Sequence, residues 1–152
     1  MGIEIERKFL VKSSDFKKKA EPIRIIQGYL HSDTDKSIRI RIKGSKAFIT
    51  IKSKVVDLSR SEFEYEIPVE DAFTMLTMCY RKIVKDRYDV VYGKHTWEID
   101  EFHEDNEGLT MAEIELSSPD ENFLKPACIG EEVSNDPRYF NSYLAEKPYK
   151  FW

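Results

Sequence analysis

Residues 37–43 read Ser-Ile-Arg-Ile-Arg-Ile-Lys, so isoleucines alternate with polar or basic residues through the whole segment. Successive side chains of a β-strand point to opposite faces, whereas the apolar face of a helix repeats every 3.6 residues. The segment therefore predicts a strand with one apolar face and one face that carries Arg39 and Arg41.

The same period of two recurs along most of the chain. The eight predicted strands cover residues 3–9, 24–30, 37–43, 48–54, 62–67, 84–91, 96–102 and 111–116. Turn residues such as Gly44-Ser45 and Tyr92-Gly93-Lys94 lie between several of them. Closely spaced strands of this kind favour an antiparallel meander, either open or closed into a barrel.

Few segments carry a helical pattern. Short helices are predicted over residues 15–19, 69–80, 120–124 and 139–145. We find no internal linker or repeat, and the length suits one core, so residues 1–152 are predicted to form a single domain.

Composition and charge exclude several classes of protein. The chain has 24 Lys+Arg against 28 Asp+Glu, a net charge of −4, which argues against nucleic acid held by a basic surface. No apolar run reaches the ~18 residues that span a membrane, and the N-terminus does not resemble a secretory signal. The separated Cys79 and Cys128 are interpreted as reduced, buried thiols, and the predicted location is the cytoplasm.

In seven of the eight predicted strands, the polar face repeats like charges at positions i and i+2. Its charged members are Glu4, Glu6 and Lys8; Arg39, Arg41 and Lys43; Lys52 and Lys54; Glu62, Glu64 and Glu66; Lys85, Arg87 and Asp89; Glu98 and Asp100; Glu113 and Glu115. Neighbouring like charges on one face destabilise a sheet unless something compensates them. An open sheet with a solvated charged face explains the presence of charge but not this segregation.

A closed barrel with the charged face inward explains the pattern better. About eight strands enclose room for side chains or one small ligand. Cations in such an interior call for a polyvalent anion, and clustered carboxylates call for a hard divalent cation. A polyphosphate with bound Mg²⁺ or Mn²⁺ meets both demands. The scattered His31, His95 and His103 have no zinc-site spacing, and no phosphate-binding glycine loop occurs.

The ordered set of charged pairs resembles one known family. Glu4-x-Glu6-x-Lys8 at the start, followed by Arg39-x-Arg41, Glu62-x-Glu64, Lys85-x-Arg87 and Glu113-x-Glu115, is similar to the pattern of the CYTH group, the triphosphate tunnel metalloenzymes. The tail, residues 132–145, resembles the closing segment of short bacterial members. The resemblance covers nearly the whole chain.

The resemblance implies a mainly β fold of the α+β class: an eight-stranded antiparallel closed barrel, with a few short helices packed outside. It implies a metal-binding set, Glu4, Glu6, Asp100, Glu113 and Glu115, in which Asp100 matches a position that helps to hold metal, water or cationic side chains. It implies a phosphate-binding set, Lys8, Arg39, Arg41, Lys52, Lys85 and Arg87. Lys85, Arg87, Glu62 and Glu64 are the expected catalytic residues, with one of the two glutamates orienting water.

The predicted activity is metal-dependent hydrolysis of a triphosphate, with inorganic tripolyphosphate as the favoured small-molecule substrate and Mg²⁺ or Mn²⁺ as cofactor. Three alternatives stay open at this point. They are cyclisation of the nucleoside triphosphate ATP to cyclic AMP, hydrolysis of thiamine triphosphate, and binding of polyphosphate or nucleotides without catalysis. The apolar outer face also leaves room for a second copy of the chain, so a homodimer is a further prediction, whereas a membrane partner is not expected.

Overall fold

A computed structural model describes residues 2–152, and within them the chain forms nine strands in one antiparallel sheet. Their bounds are β1 Gly2–Val11, β2 Ile23–Ser32, β3 Lys36–Lys43, β4 Lys46–Ser53, β5 Ser59–Ile67, β6 Lys82–Tyr92, β7 His95–Phe102, β8 Thr110–Glu115 and β9 Ile129–Glu132. The eight predicted strands are all present. β9 was not predicted, because four residues that include Gly130 show no alternation.

The sheet closes on itself through β1. The strand order is β5-β4-β3-β2-β6-β7-β8-β1, and β1 also pairs with β5, so the first eight strands form a closed barrel. The N-terminal part of β1 pairs with β5, and β9 adds to its C-terminal part at Phe9 and Val11. The predicted closed eight-stranded barrel is thus confirmed, with β9 as an added strand.

The tight turns between paired strands depend on glycine. Gly44 between β3 and β4 and Gly93 between β6 and β7 have φ of 59° and 65°, values that glycine adopts without steric cost. Both turns connect neighbouring antiparallel strands, as the sequence predicted.

Two α-helices, α1 Val69–Leu76 and α2 Asn141–Glu146, accompany the barrel, together with four short 3-10 segments. The segments are Asp15–Lys18, Glu104–Asn106, Pro137–Tyr139 and Tyr149–Phe151. The helix predicted over residues 120–124 does not form; this stretch is non-helical and places Phe123 against Phe9 and Trp97. Within residues 2–152, no helix has the length and apolar character needed to span a membrane.

The main hydrophobic clusters cover the outer face of the barrel. α1 lies over β3 and β4, where Ala72 and Leu76 pack with Ile40, Ile42 and Ala47. A second cluster lies on the opposite side and includes Phe9, Phe16, Trp97 and Ile114. The apolar residues of the strands therefore point outward, and the charged residues at the alternate positions point into the interior.

One end of the barrel is closed by apolar side chains. Ile83, Phe102 and Met111 share the inward parity of Lys85, Asp100 and Glu113, but they pack with Leu144 and Ala145 of α2. The helices were expected outside the barrel; α1 lies there, whereas α2 packs across one end. This placement brings the N-terminus of α2 to the charged interior.

Part of the outer face near the closing seam stays exposed. Ile51, Phe63 and Tyr65 on β4 and β5 point outward and are 37%, 38% and 59% exposed. A homodimer formed through this face remains a prediction.

Candidate active site

The interior of the barrel contains an almost wholly polar cavity of about 220 Å³. The lining residues are Glu4, Glu6, Lys8, Tyr29, Ser37, Arg39, Arg41, Lys43, Lys52, Arg60, Glu62, Glu64, Lys85, Arg87, Glu98, Glu113, Glu115, Phe140, Asn141 and Ser142. With the exception of Asp100, every site residue expected from the sequence lines this cavity. Strands from all around the barrel thus contribute to one site.

Strand register sets which charges meet. Lys8 on β1 is the direct cross-strand partner of Glu113 on β8, and its Nζ lies 2.9 Å from the Glu113 Oε1. One step along the same ladder, Glu6 faces Glu115. Alternation within each strand therefore places carboxylates from the first and last strands of the barrel side by side.

Glu4, Glu6, Glu113 and Glu115 form the part of the acidic lining that lies on β1 and β8. Burial opposes ionisation of Glu4, but Lys52 and Arg60 lower its pKa to about 2. Burial and the nearby Glu113 raise the pKa of Glu6 to about 7, although Lys8 acts in the opposite direction. Nearby cations therefore balance the negative charge of Glu6 only in part. A divalent cation bound beside this carboxylate would balance the rest.

Glu6→Gln is expected to stabilise the metal-free protein at alkaline pH. A carboxyl whose folded pKa is raised from 4.5 to about 7 loses its contribution to stability as the pH rises between those values. In the presence of a chelator the variant should gain about 1–3 kcal/mol at pH 8, because one unit of pKa corresponds to about 1.4 kcal/mol. The gain should shrink at pH 5, where the wild-type carboxyl is largely protonated.

Thermal unfolding at pH 5 and pH 8 with EDTA measures this effect. Glu66→Gln, a change of an exposed glutamate on β5, controls for the loss of one negative charge. A Glu6→Gln variant less stable than the wild type at pH 8 would show that Lys8 and Arg60 compensate Glu6 fully.

The basic part of the lining comes mainly from β3 and β6, with further cations on β1, β4 and β5. The Arg39 Nη2 donates to Thr50 Oγ1 at 3.2 Å, whereas its buried Nε has no hydrogen-bond partner among residues 2–152. Arg41 Nε donates to Gln27 Oε1 at 2.8 Å. A buried guanidinium N–H without a partner, in a cavity of this polarity, fits an anion that is bound there in the working protein.

Lys85 is among the most deeply buried of these cations. It is 1% exposed, and its Nζ lies 2.7 Å from Asp100 Oδ2 and 2.7 Å from Asn141 Oδ1. Burial lowers its pKa to about 7 despite the attraction of Asp100, with Arg87 and Arg41 adding to the decrease. A bound polyanion would favour the charged form, since opposite charge raises the pKa of a lysine.

Asp100 lies beneath the lining, where it holds two of the cations. Arg87 donates from Nε to Oδ1 at 2.8 Å and from Nη2 to Oδ2 at 2.9 Å, and Lys85 contacts Oδ2. The carboxylate is 2% exposed. Of the roles that the resemblance allowed for Asp100, its contacts favour that of holding cationic side chains.

The sequence-based analysis missed several lining residues. Arg60 shares the inward parity of Glu62 and Glu64, so the extended pattern Arg60-x-Glu62-x-Glu64 could have identified it. Asn141 and Phe140 come from the start of α2, and no strand periodicity points to them. Asn141 joins α2 to two paired strands of the barrel, since its Oδ1 accepts from Lys85 of β6 and from Gln27 of β2.

A second group of potential metal ligands lies outside the barrel. Asp86, Glu101 and His103 bring one ligand atom each within 4.8 Å of one another. Arg24 and Lys17 already pair with Asp86 and Glu101, at 2.7 Å and 2.6 Å. We therefore treat this group as a network of surface ion pairs and the barrel interior as the candidate site.

Comparisons with known proteins agree with this geometry. A sequence profile described as the CYTH domain matches residues 2–140. The inorganic triphosphatase of Acetivibrio thermocellus is 47% identical to the chain over 154 residues, covering 99% of this chain and 97% of that protein. The inorganic triphosphatase of Nitrosomonas europaea is 40% identical over 152 residues, covering 93% of this chain and 96% of that protein.

Solved structures show the same fold. A crystal structure of an inorganic triphosphatase is 32% identical in sequence and superposes with a TM-score of 0.68, covering 93% of each chain. A protein from Pyrococcus horikoshii with 22% identity superposes with a TM-score of 0.60, over 76% of this chain and 80% of that one. The second likeness extends to the fold alone.

Proposed function

Since the chain belongs to the CYTH domain family, we propose that it is a metal-dependent triphosphatase that hydrolyses inorganic tripolyphosphate inside the barrel. The cavity is the observation that supports inorganic tripolyphosphate as the substrate. Its volume of about 220 Å³ is below the roughly 300–1,000 Å³ of clefts that bury drug-sized ligands. Among the described residues its aromatic lining consists of Tyr29 and Phe140, which offers little surface for a nucleobase or a thiazole.

The phosphate chain is assigned to the basic part of the lining. Arginine presents two parallel N–H donors to phosphate oxygens, and lysine contributes a point charge. Lys8, Arg39, Arg41, Lys52, Lys85 and Arg87 fill these roles in the proposal. Lys85 and Arg87, held in place by Asp100, stabilise the negative charge that develops on the transferred phosphoryl group and on the leaving pyrophosphate.

The metal is assigned to Glu4, Glu6, Glu113 and Glu115. Carboxylate oxygens are the ligands that Mg²⁺ and Mn²⁺ prefer, and the raised pKa of Glu6 supports the placement of a further positive charge beside this carboxylate. When bound, such an ion polarises phosphate oxygens and lowers the pKa of a bound water. Asp100, with both oxygens paired to cations, is assigned the positioning of Lys85 and Arg87.

Glu62 and Glu64 are the candidates for orienting the attacking water. Glu64 accepts from Thr50 Oγ1 at 2.9 Å, and the Glu62 Oε2 lies 3.4 Å from Lys52 Nζ. Burial raises the pKa of Glu62, with further contributions from Glu4, and a raised pKa makes this carboxylate a better proton acceptor. Both glutamates stand on β5, which β1 separates from the carboxylates of β8.

The experiment offers tripolyphosphate, ATP and thiamine triphosphate separately, each with Mg²⁺ and with Mn²⁺. We expect one orthophosphate and one pyrophosphate per tripolyphosphate consumed, only with metal, and far less turnover of the other two substrates. Arg39→Ala should lower kcat/KM by about 100-fold or more, the usual effect of removing one preorganised donor. Lys36→Ala, which removes an exposed cation outside the cavity, serves as the matched control.

The alternatives give different results in the same assay. Cyclic AMP appearing together with pyrophosphate from ATP would identify a cyclase. Faster hydrolysis of thiamine triphosphate would reassign the substrate. Tight binding of tripolyphosphate with no product would identify a binding module and contradict the proposal.

A further inference from the structure

Arg60 differs from the other cations of the cavity in what it contacts. It is the cross-strand partner of Glu4 at the seam where β5 closes on β1. Its Nε lies 3.0 Å from Glu4 Oε1, and its Nη2 lies 3.7 Å from Glu6 Oε1. The Arg60 guanidinium thus contacts two of the carboxylates assigned to the metal.

The neighbouring lysines occupy these carboxylates in a different way. Lys52 spans Glu4 and Glu62, at 3.0 Å and 3.4 Å, and Lys8 spans Glu6 and Glu113, at 3.2 Å and 2.9 Å. The second partner of Lys52, Glu62, is outside the four carboxylates assigned to the metal, whereas the second partner of Lys8, Glu113, is one of the four. The carboxylates that Arg60 contacts within residues 2–152 are Glu4 and Glu6.

These contacts create a direct competition. Glu4 Oε1, which accepts from Arg60, and Glu6 Oε1, which lies 3.7 Å from the Arg60 Nη2, belong to carboxylates that would hold the divalent ion. A guanidinium left a few ångströms from that ion would be repelled by two positive charges in a poorly solvated cavity. The guanidinium has, however, a second class of partner within the same cavity, because it fits phosphate oxygens in the same forked geometry as carboxylate oxygens.

We propose that Arg60 is an exchangeable counter-charge that couples metal binding to substrate binding. In the free protein Arg60 holds Glu4 and Glu6; in the loaded protein it releases them and donates to the bound phosphate chain. Metal alone leaves Arg60 without an anionic partner, whereas metal with tripolyphosphate provides one. Each ligand therefore increases the affinity for the other, as linkage requires. The inference rests on the proposed function, since it takes the metal and the triphosphate as the two ligands.

The first test measures binding of Mn²⁺ to the free protein, by the loss of the free-ion EPR signal. Arg60→Ala removes the competitor, so its Kd for Mn²⁺ should fall about 5-fold or more, within the usual range of coupling between ligands. Lys43→Ala is the matched control, because Lys43 lines the same cavity and is not among the contacts of Glu4 or Glu6 in the described residues. If Lys43→Ala lowers the Kd for Mn²⁺ as much as Arg60→Ala does, the effect comes from the loss of any nearby positive charge, and the proposal is wrong.

The second test measures coupling with diimidotriphosphate, a tripolyphosphate analogue in which nitrogen replaces both bridging oxygens and resists hydrolysis. In the wild type, Mn²⁺ should bind more tightly when the analogue is present, and Arg60→Ala should lose most of this gain. Arg60→Lys keeps the positive charge but not the two parallel N–H donors, so it should retain part of the gain in Mn²⁺ affinity. If Arg60→Ala keeps the full gain, Arg60 does not move to the phosphate chain and the proposal is wrong.

Circular dichroism and thermal unfolding of each variant confirm that the barrel is intact, and Arg60→Gln replaces Arg60→Ala if the alanine variant unfolds. The two levels of the proposal fail separately. A wild type that neither binds Mn²⁺ nor hydrolyses tripolyphosphate contradicts the proposed function. A wild type that does both, with unchanged Mn²⁺ binding in Arg60→Ala, contradicts the role of Arg60 alone.

Discussion

Asp100→Ala is expected to lower the free energy of unfolding by about 3–5 kcal/mol, the usual cost of removing one partner from a buried ion pair. Asp100 neutralises both Lys85 and Arg87, at 2.7 Å and 2.8 Å, and the three side chains are 2%, 1% and 5% exposed. The substitution would leave two cations in the barrel interior with one anionic partner fewer. The effect should be large because both cations are almost fully buried.

Urea-induced unfolding of the metal-free protein measures this loss. Glu101→Ala is the matched control: Glu101 follows Asp100 on β7 but points outward, where it pairs with the half-exposed Lys17 at 2.6 Å. Pairs of this exposure contribute about 0–1 kcal/mol, so the control should be nearly neutral. Equal effects of the two substitutions would contradict the buried role of Asp100. A bound polyphosphate should partly rescue Asp100→Ala, because it supplies the missing negative charge.

Strand parity accounts for most of what the sequence predicted. A period of two leaves no freedom about which face a residue occupies once the strand is correctly identified. Arg39, Arg41, Lys85 and Arg87 therefore could be assigned to one interior before any contact was known. The segregated charges also predicted closure, since an open face offers no reason for like charges to repeat.

Parity does not tell how far along the barrel a side chain lies, so it does not separate the cavity lining from residues at the barrel end or beneath the lining. Ile83 and Phe102 have the inward parity of the charged residues but lie at the end that α2 closes. Asp100 has the parity of a cavity residue but lies below the lining. These differences depend on long-range register, which a single strand does not encode.

The contribution of α2 to the site could not be predicted from the sequence, for a different reason. Asn141 enters the site because Leu144 and Ala145 pack against the inward face of the barrel end, a tertiary contact across more than fifty residues of sequence from Lys85. The pattern over residues 139–145 predicts a helix but not where it docks. By contrast, Arg60 could have been predicted from the sequence, since it extends the alternation of β5 by one step.

Glu113→Gln is expected to abolish metal-dependent hydrolysis, lowering kcat/KM for tripolyphosphate at least about 100-fold. Glu113 belongs to the carboxylates assigned to the metal, and it is also the cross-strand partner of Lys8. The amide keeps the size of the side chain but removes the negative charge that a divalent ion requires. Mn²⁺ binding to the free protein, measured by EPR, should weaken in parallel, whereas Glu66→Gln on the exposed part of β5 should leave both quantities unchanged.

The same substitution should affect folding far less than Asp100→Ala, and this contrast separates a site residue from a structural one. Loss of the Glu113–Lys8 pair is unfavourable, but loss of the repulsion between Glu113 and Glu6, which raises the pKa of Glu6, is favourable. The two effects oppose one another, so the urea midpoint should shift little while activity disappears. A Glu113→Gln variant that unfolds like Asp100→Ala would mean that Glu113 serves the barrel rather than the metal. A folded variant that retains wild-type turnover would remove Glu113 from the metal-binding set.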